Sequence, residues 1–181
     1  MYNIIMDLIN RLDITTLNFM EQIRTPFLTI FFKAVTVTGE WSFVLGVLFL
    51  ISLFFIIKKM ARSRLDSQGE TLPFFVFWPI AAGGLGTAFV FKEIFHRSRP
   101  VGALITETYS AFPSAHAVTS IAFYAFIFYL LAGNAKSGFS KCILTSAIFL
   151  MPVLLGFSRL YLGVHYLSDV LAGYAIGDIW F

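Results

Sequence analysis

The sequence predicts an all-α protein: a polytopic bundle of transmembrane helices, with five spans or at most six, and an amphipathic N-terminal helix. Of its 181 residues, 58% are hydrophobic and 13% are charged, whereas a soluble domain carries about 25% charged residues. The mean hydropathy is +0.81. Uncharged runs of 17 and 21 residues also occur, and this is the length that an α-helix needs to cross a bilayer.

The first 24 residues predict a helix that lies at the membrane interface. Apolar positions recur at helical spacing, but five charged side chains interrupt them, a pattern typical of interfacial helices. After Pro26, residues 27–38 are too short to cross before Gly39 and Glu40, so we expect an interfacial or re-entrant turn.

Five later segments are apolar enough to predict spans. They are residues 41–57, 71–91, 117–135, 142–158 and 165–181. Gly173 and Gly177 in the last segment predict a small-residue face that packs closely on a neighbouring helix. Because these segments use most of the chain, we expect one membrane-embedded domain, residues 1–181, with residues 1–38 as its interfacial segment.

The basic residues predict the topology. They cluster after the first and third spans, at Lys58, Lys59, Arg62 and Arg64, and at Lys136 and Lys141. The positive-inside rule therefore places these loops in the cytoplasm. The polar loops 92–115 and 158–165 are separated by two crossings, so they open on the same side, which is extracytoplasmic. The small size and basic loops favour the plasma membrane of a bacterium.

Composition argues against several other classes of protein. The net charge of +3 does not indicate a nucleic-acid partner, because the basic residues lie in loops that set topology. The single cysteine, Cys142, excludes an internal disulfide and a Cys-based metal site. The three histidines lack the spacing of a zinc site, so we expect no metal.

Residues 158–169 contain an arginine, a histidine and an aspartate and lie between two apolar runs. His165 and Asp169 are four residues apart, which on a helix places them on one face. The carboxylate can accept the Nδ1–H and leave Nε2 free as a base or nucleophile, and Arg159 adds donors suited to a phosphate. A pair that only satisfies itself at a helix end is an equally good interpretation of this motif alone.

A second motif begins at Lys92. Lys92 and Arg99 are two helical turns apart and would share a face if the helix continued, although Pro100 disfavours helical geometry at Arg99. For Arg97 we favour an interfacial role in which the side chain snorkels to lipid phosphates, and for His96 an interfacial role as well.

The third motif is Pro113-Ser114-Ala115-His116, which directly precedes an apolar span. Ser as a cap and Pro near a helix start predict a helix N-terminus, whose free N–H groups bind anions. His116 in the first turn can deliver a proton to an oxygen that leaves the anion. A plain capped helix is the alternative interpretation of this motif alone.

Together, the motifs place three cations, a helix N-terminus, two histidines and one aspartate at one membrane face. The cations exceed the carboxylates that could pair with them, so they indicate an anionic ligand, and phosphate is the simplest. Since only one histidine has an aspartate partner, the two histidines predict different roles, a nucleophile and an acid.

The order and spacing of these motifs match a known family. The pattern Lys-x6-Arg-Pro, Pro-Ser-Gly-His and Ser-Arg-x5-His-x3-Asp appears as Lys92 through Arg99-Pro100, Pro113 through His116, and Ser158-Arg159 through His165 to Asp169. The chain resembles the type 2 phosphatidic acid phosphatase family, which shares its fold core with vanadium haloperoxidases. The resemblance covers residues 92–169, the catalytic motif region.

The resemblance implies a membrane lipid phosphatase that uses a phosphohistidine intermediate. His165 would attack phosphorus, oriented by Asp169, while His116 would protonate the leaving group and then activate water. The phosphoryl oxygens would be held by Lys92, Arg99, Arg159, Ser114 and the N–H of Ala115. The cations and helix end would do the electrostatic work of a Mg²⁺, so no metal and no other cofactor is implied.

The implied substrates are phosphatidic acid, phosphatidylglycerol phosphate and undecaprenyl diphosphate, and the sequence does not rank them. The expected partners are such a phosphorylated lipid and the membrane lipids, whereas the oligomeric state stays open. Ala115 replaces the usual Gly, and we expect activity to survive if its φ is negative. Two alternatives are a phosphotransferase that passes the group to another alcohol, and a non-catalytic headgroup transporter or binder.

Overall fold

Seven α-helices form the part of the chain that the computed structural model describes, residues 2–61, 74–132 and 137–180. They are α1 (Tyr2–Gln22), α2 (Pro26–Val37), α3 (Trp41–Ala61), α4 (Phe74–Phe95), α5 (Ala115–Ala132), α6 (Gly138–Tyr161) and α7 (Leu167–Trp180). These residues contain no strand, which confirms the all-α prediction.

The apolar helix α5 lies at the centre of the bundle. It packs against α4, α6 and α7, and its buried Ala117 and Val118 join two of the apolar clusters that form the core. Helix α5 begins at Ala115, and its neighbours α4 and α6 end at Phe95 and Tyr161. The three helix ends that carry the sequence motifs therefore meet at one end of the bundle.

The N-terminal helices α1 and α2 pack on the same end of the bundle. Both contact α6, and α1 also contacts α7. Met20 of α1 and Phe32 of α2 are buried beside Tyr161, while most other apolar side chains of α1 are exposed. The predicted amphipathic helix is therefore present, but it is docked on the bundle, and its place at a membrane surface stays a prediction.

A capped turn separates α1 from α2. Thr25 has extended backbone geometry, and its side chain accepts the N–H of Leu28, while Pro26 occupies the first helical position. Both residues are typical of a helix start. Residues 27–38 therefore form most of a regular helix. Together with residues 41–54 it makes either a broken span or a re-entrant loop, so the predicted interfacial or re-entrant turn stays a prediction.

The lengths of the helices bear on the predicted spans. By length and apolar composition α6 is sufficient to cross a membrane, and α2 with residues 41–54 of α3 would make a second span, bent by 50° at the break. This test covers only the residues that the structure describes, and residues 62–73 and 133–136, which include Arg62, Arg64 and Lys136, lie outside them. The span count stays a prediction.

Two glycines of α7 determine how closely it approaches α5. A Cβ atom on Gly173 would lie 2.6 Å from the Ser114 carbonyl oxygen, and one on Gly177 would lie 2.8 Å from the Val118 carbonyl oxygen. The predicted small-residue face is therefore confirmed. This contact also lets the Ser114 N–H donate to the Asp169 carbonyl oxygen at 3.0 Å, which ties the start of α5 to the start of α7.

Replacing Gly173 by Ala should destabilise the bundle by about 1–3 kcal/mol, because the added methyl group meets backbone that cannot move aside easily. Thermal unfolding in detergent measures the effect. Gly46→Ala in α3 is the matched control, since nothing lies within 4 Å of the methyl group it adds. Equal melting temperatures for the two variants would contradict the close approach of α5 and α7.

Candidate active site

The three sequence motifs meet around one cavity of about 510 Å³ at the end of the bundle. Six of the eight predicted site residues line it: Lys92, Arg99, Ala115, His116, Arg159 and His165. Ser114 and Asp169 are fully buried behind the lining. The structure thus brings together side chains that are more than 70 positions apart in the sequence.

The two polar loops lie side by side, as the sequence predicted. The Leu104 N–H donates to the Leu162 carbonyl oxygen at 2.9 Å, so the segment after α4 is joined to the segment after α6. The two loops therefore open at the same end of the molecule. The side of the membrane on which they open stays a prediction.

Lys92 occupies the last turn of α4, and only 4% of it is exposed. Its ammonium donates to the Ser110 carbonyl oxygen at 2.5 Å, and the Ser110 hydroxyl donates back to the Lys92 carbonyl oxygen at 3.0 Å. These bonds hold the ammonium at the cavity through a neutral partner, so its charge stays available to an anion.

Arg99 is also held by backbone carbonyls. Its Nε donates to the Tyr109 carbonyl oxygen at 2.9 Å, and one terminal nitrogen donates to the Val164 carbonyl oxygen at 2.7 Å. The same nitrogen lies 3.4 Å from Nε2 of His165. Arg99 therefore places a positive charge directly beside the imidazole nitrogen that faces the cavity.

Arg159 lies in the last turn of α6 with 1% of its surface exposed. One terminal nitrogen donates to the Thr36 hydroxyl at 2.7 Å, and the other forms an ion pair with Glu107. Glu107 also lies 3.9 Å from Arg99. A carboxylate is therefore seated between two of the three predicted phosphate-binding cations.

The sequence analysis missed Glu107 as a site residue. The available signal was its isolation, because it is the only acidic residue between Glu93 and Asp169 and it lies in the predicted polar loop. A lone acid among cations has a tertiary partner more often than a free one, since unpaired buried charges are costly.

The predicted geometry of His165 and Asp169 was wrong in one respect. His165 lies in the turn before α7, which begins at Leu167, because Gly163 has φ of +71° and redirects the chain after α6. The two side chains still meet, with Nδ1 of His165 3.6 Å from Oδ2 of Asp169. This distance exceeds that of a hydrogen bond, and Nδ1 has no hydrogen-bond partner.

Asp169 is fixed by two other contacts. Its Oδ2 accepts the Tyr166 N–H at 2.8 Å, which closes the first turn of α7 as an acidic residue at this position of a capping box does. Its Oδ1 accepts from Arg97 at 2.5 Å. The carboxylate is therefore oriented, with Oδ2 toward His165, before any ligand binds.

The electrostatic surroundings of His165 favour its neutral form. Burial lowers the pKa of His165 well below its ordinary value of 6.5, and the positive charges of Arg159, Arg99 and Lys92 lower the pKa further. A neutral imidazole has a free lone pair on one ring nitrogen. At neutral pH His165 is consequently able to act as a nucleophile or base.

His116 and Ser114 stand at the start of α5, where the sequence predicted a helix N-terminus. The Ser114 side chain does not cap α5 as expected, because its hydroxyl has no hydrogen-bond partner, while its predicted role in binding phosphate stays a prediction. Five buried polar atoms at this end lack a hydrogen-bond partner. One belongs to Arg24, and the other four belong to predicted site residues: the Ser114 hydroxyl, Nε2 of His116, Nε of Arg159 and Nδ1 of His165. Buried polar atoms are normally paired, so this group indicates a site that a polar ligand completes.

Ala115 fits the backbone conformation at the position where the family has glycine. Among the described non-glycine residues only His96 has a positive φ, of 41°, so Ala115 has the negative φ of an ordinary first helical residue. The condition under which we expected the alanine to be harmless is met. His96 itself is exposed and lies away from the cavity lining.

The predicted snorkelling of Arg97 was wrong. Its guanidinium turns inward and donates to Asp169 at 2.5 Å and to Asp13 of α1 at 2.7 Å. A buried pair of carboxylates is a stronger partner than lipid phosphates at an exposed surface, because charge-assisted bonds strengthen where water is excluded.

Comparison with known proteins gives a consistent result. A family model described as PAP2 superfamily matches residues 72–181, a range that includes all three motifs. Phosphatidylglycerophosphatase B of Bacillus subtilis (strain 168) is 38% identical over 95 residues, which are 51% of this chain and 46% of that protein. The match therefore spans about half the length of this curated relative.

Two solved structures share the fold. The crystal structure of a transmembrane PAP2-type phosphatidylglycerolphosphate phosphatase from Bacillus subtilis has a TM-score of 0.82 and 26% identity, covering 96% of this chain and 83% of that one. Aquifex aeolicus LpxE has a TM-score of 0.66 and 23% identity, covering 93% and 92%, and supports the fold alone.

Glu107→Gln should strengthen the binding of inorganic phosphate about tenfold, which corresponds to ~1.4 kcal/mol. The substitution removes a negative charge that competes with phosphate for Arg159 and Arg99. Isothermal titration in detergent measures the affinity. Glu93→Gln is the matched control, because Glu93 is the same residue type on an exposed position next to Lys92. Weaker phosphate binding by the Glu107 variant would show that the carboxylate does not occupy the anion site.

Proposed function

This chain belongs to the PAP2 superfamily, and from that membership we propose that it is an integral membrane lipid phosphatase with a phosphohistidine intermediate. The family resemblance inferred from the three motifs is thereby confirmed. The proposed reaction is hydrolysis of the phosphomonoester or diphosphate of a lipid, without a metal or other cofactor.

One observation supports this reaction above the others: a buried His165 whose Nε2 lies 3.4 Å from a terminal nitrogen of Arg99, at the edge of a cavity with two further cations. A headgroup transporter or binder needs the cations but gains nothing from an imidazole among them. Nδ1 of this ring is buried without a hydrogen-bond partner, which costs stability and which a nucleophilic role accounts for.

In the proposed first step, Nε2 of His165 attacks phosphorus, and the bond between phosphorus and the lipid oxygen breaks. Burial and the positive charges of Arg159, Arg99 and Lys92 lower the pKa of His116 well below its ordinary value, so in this proposal the negative charge of the bound lipid phosphate raises that pKa again. The protonated His116 then donates its proton to the leaving oxygen. The charge that spreads over the phosphoryl oxygens is stabilised by Lys92, Arg99 and Arg159. Asp169 stabilises the positive charge on His165. The distance between Nδ1 of His165 and Oδ2 of Asp169, 3.6 Å in this structure, shortens as the ring becomes a charged donor, since catalytic hydrogen bonds often tighten on the reaction path.

In the second step, His116 accepts a proton from water, and the water oxygen attacks phosphorus. The bond between phosphorus and Nε2 breaks, inorganic phosphate leaves, and His165 returns to its neutral form. His116 then holds the proton that the next cycle requires. In this proposal the two histidines keep the distinct roles that the sequence predicts, a nucleophile and an acid.

The cavity also supports a lipid substrate. Its lining combines apolar side chains, Trp41 and Leu45 of α3 and Leu85 and Phe89 of α4, with the three cations. In this proposal a headgroup phosphate binds to the cations while the lipid chain contacts the apolar side chains. Because the curated relative and the first of the two structures, both from Bacillus subtilis, are named as phosphatidylglycerophosphate phosphatases, that lipid is the first substrate to test, before phosphatidic acid and undecaprenyl diphosphate.

We further propose a multi-pass protein of the bacterial plasma membrane, with the site on the extracytoplasmic side. The support is the positive-inside rule applied to the basic loops, together with the position of both polar loops at one end of the bundle.

The purified protein should release phosphate from these lipids in the presence of EDTA, and His165→Asn and His116→Asn should each lower kcat by about 10²-fold or more. His96→Asn is the matched control; it should retain full activity, and asparagine tolerates the positive φ of this position. Absence of release by the unmodified protein, with phosphate binding intact, would exclude hydrolysis. Transfer of the phosphoryl group to an added alcohol would then favour the phosphotransferase.

The decline in the rate of phosphohistidine formation at low pH should have its midpoint below pH 6.5. The reason is the lowered pKa of His165, since the nucleophilic neutral form persists until the pH falls through that pKa. Single-turnover labelling with the lipid substrate measures this rate, and ³¹P titration of the substrate corrects for its own ionisation. A midpoint at or above pH 6.5 would contradict the proposed environment of His165.

A further inference from the structure

Asp13 is a buried acid on the N-terminal helix α1, with 3% of its surface exposed. Its Oδ2 accepts from Arg97 and from the Ser168 hydroxyl, each at 2.7 Å, and its Oδ1 accepts the Ser168 N–H at 2.9 Å. A carboxylate is buried only where such partners compensate its desolvation. Both partners adjoin Asp169: Arg97 donates to its Oδ1, and Ser168 precedes it in the chain.

Arg97 joins Asp13 to the proposed active site. Its guanidinium donates to Asp13 with one terminal nitrogen, and to Asp169 at 2.5 Å and the Ser168 hydroxyl at 2.7 Å with the other. It also stacks over the Tyr166 ring, 4.4 Å from the ring centre. Burial alone would lower the pKa of Arg97, but the bonds and charges of Asp13 and Asp169 raise its pKa above the ordinary value.

We propose that Asp13 is a positioning residue for the active site: it holds Arg97 and Ser168, which hold the Asp169 carboxylate against His165. This inference rests on the proposed phosphatase function. It assigns to α1, which lies outside the matched range 72–181, a part in the chemistry of residues more than 150 positions away.

The geometry gives the first reason. Asp169 has one oxygen on Arg97 and the other on the Tyr166 N–H, facing His165. Rotation of this carboxylate by a small angle would move Oδ2 from the imidazole. Asp13 opposes such rotation, because it fixes the opposite end of the planar guanidinium and satisfies a free N–H in the first turn of α7.

The charges give the second reason. Arg97 is shared by two carboxylates, so neither one is fully neutralised. Without the charge of Asp13, the positive charge of Arg97 is offset less, so the surroundings of Asp169 become more positive and stabilise a positive imidazole less well. Loss of this charge should therefore slow the step in which His165 acquires charge, with little effect on the binding of the lipid phosphate.

Asp13→Asn tests this inference, because it keeps the size of the side chain and removes its charge. We expect about a tenfold lower kcat and a similarly slower formation of the phosphohistidine, with KM within about twofold of the unmodified protein. Asp7→Asn is the matched control: it removes the same charge from an exposed position of the same helix and should leave both constants unchanged.

A double-substitution cycle tests whether Asp13 acts through Arg97. In an Arg97→Gln background, Asp13→Asn should lower kcat by less than about twofold further, since the connection is already broken. Two effects that multiply independently would overturn the inference. A second outcome would also overturn it: the Asp13 variant melts at a lower temperature, but each folded molecule has the kcat of the unmodified protein. Asp13 would then stabilise the fold without affecting the reaction.

Ser168→Ala provides a second variant if Asp13→Asn does not fold. It removes one contact of Asp13 and one of Arg97 without changing any charge. We expect kcat to fall several-fold at unchanged KM, and an unchanged kcat would overturn the inference.

The two proposals fail in different ways. No phosphate release by the unmodified protein and the Asp7 variant would overturn the phosphatase function, and this inference with it. If the unmodified protein and the Asp7 variant both release phosphate, and the Asp13 variant has the same kcat as they do, only the positioning role of Asp13 is overturned.

Discussion

The surplus of positive charge buried at one end of the bundle is the constraint on which the rest of this structure depends. Lys92, Arg99 and Arg159 surround one cavity, and Glu107 is the carboxylate that faces them. Removing such charges from water is expensive, so the helices are arranged to supply partners. Carbonyl oxygens hold Lys92 and Arg99 without neutralising them, whereas Arg159 is held by the Thr36 hydroxyl and the Glu107 carboxylate.

The N-terminal helices complete this arrangement. Thr36 of α2 accepts from Arg159, Asp13 of α1 accepts from Arg97, and Arg24 after α1 donates to the carbonyl oxygens of Tyr161 and Gly102. These residues precede the range that the family model matches, 72–181. The matched range therefore includes the groups that would react, while the preceding helices supply the contacts that hold several of them in place.

The sequence was sufficient for the fold class and for most of the site, because apolar runs and motif spacing are local features. It was insufficient wherever a contact joins distant positions. Arg97 was placed at the surface because its acceptor Asp13 is 84 positions away, and Asp13 looked like part of the polar face of an amphipathic helix. His165 was placed on a helix because its spacing to Asp169 fits one turn, whereas Gly163 redirects the chain before the helix begins.

The position of Glu107 between Arg159 and Arg99 has a consequence for catalysis. A phosphate that enters the cavity either displaces the Glu107 carboxylate from the cations or shares the cations with it. The net gain in free energy when the substrate binds in its ground state is therefore modest. In the proposed reaction, charge spreads over the three equatorial oxygens in the transition state. Because only interactions that strengthen in the transition state accelerate the reaction, Glu107 would favour the chemical step only if the cations turn from its carboxylate to these oxygens as the transition state forms.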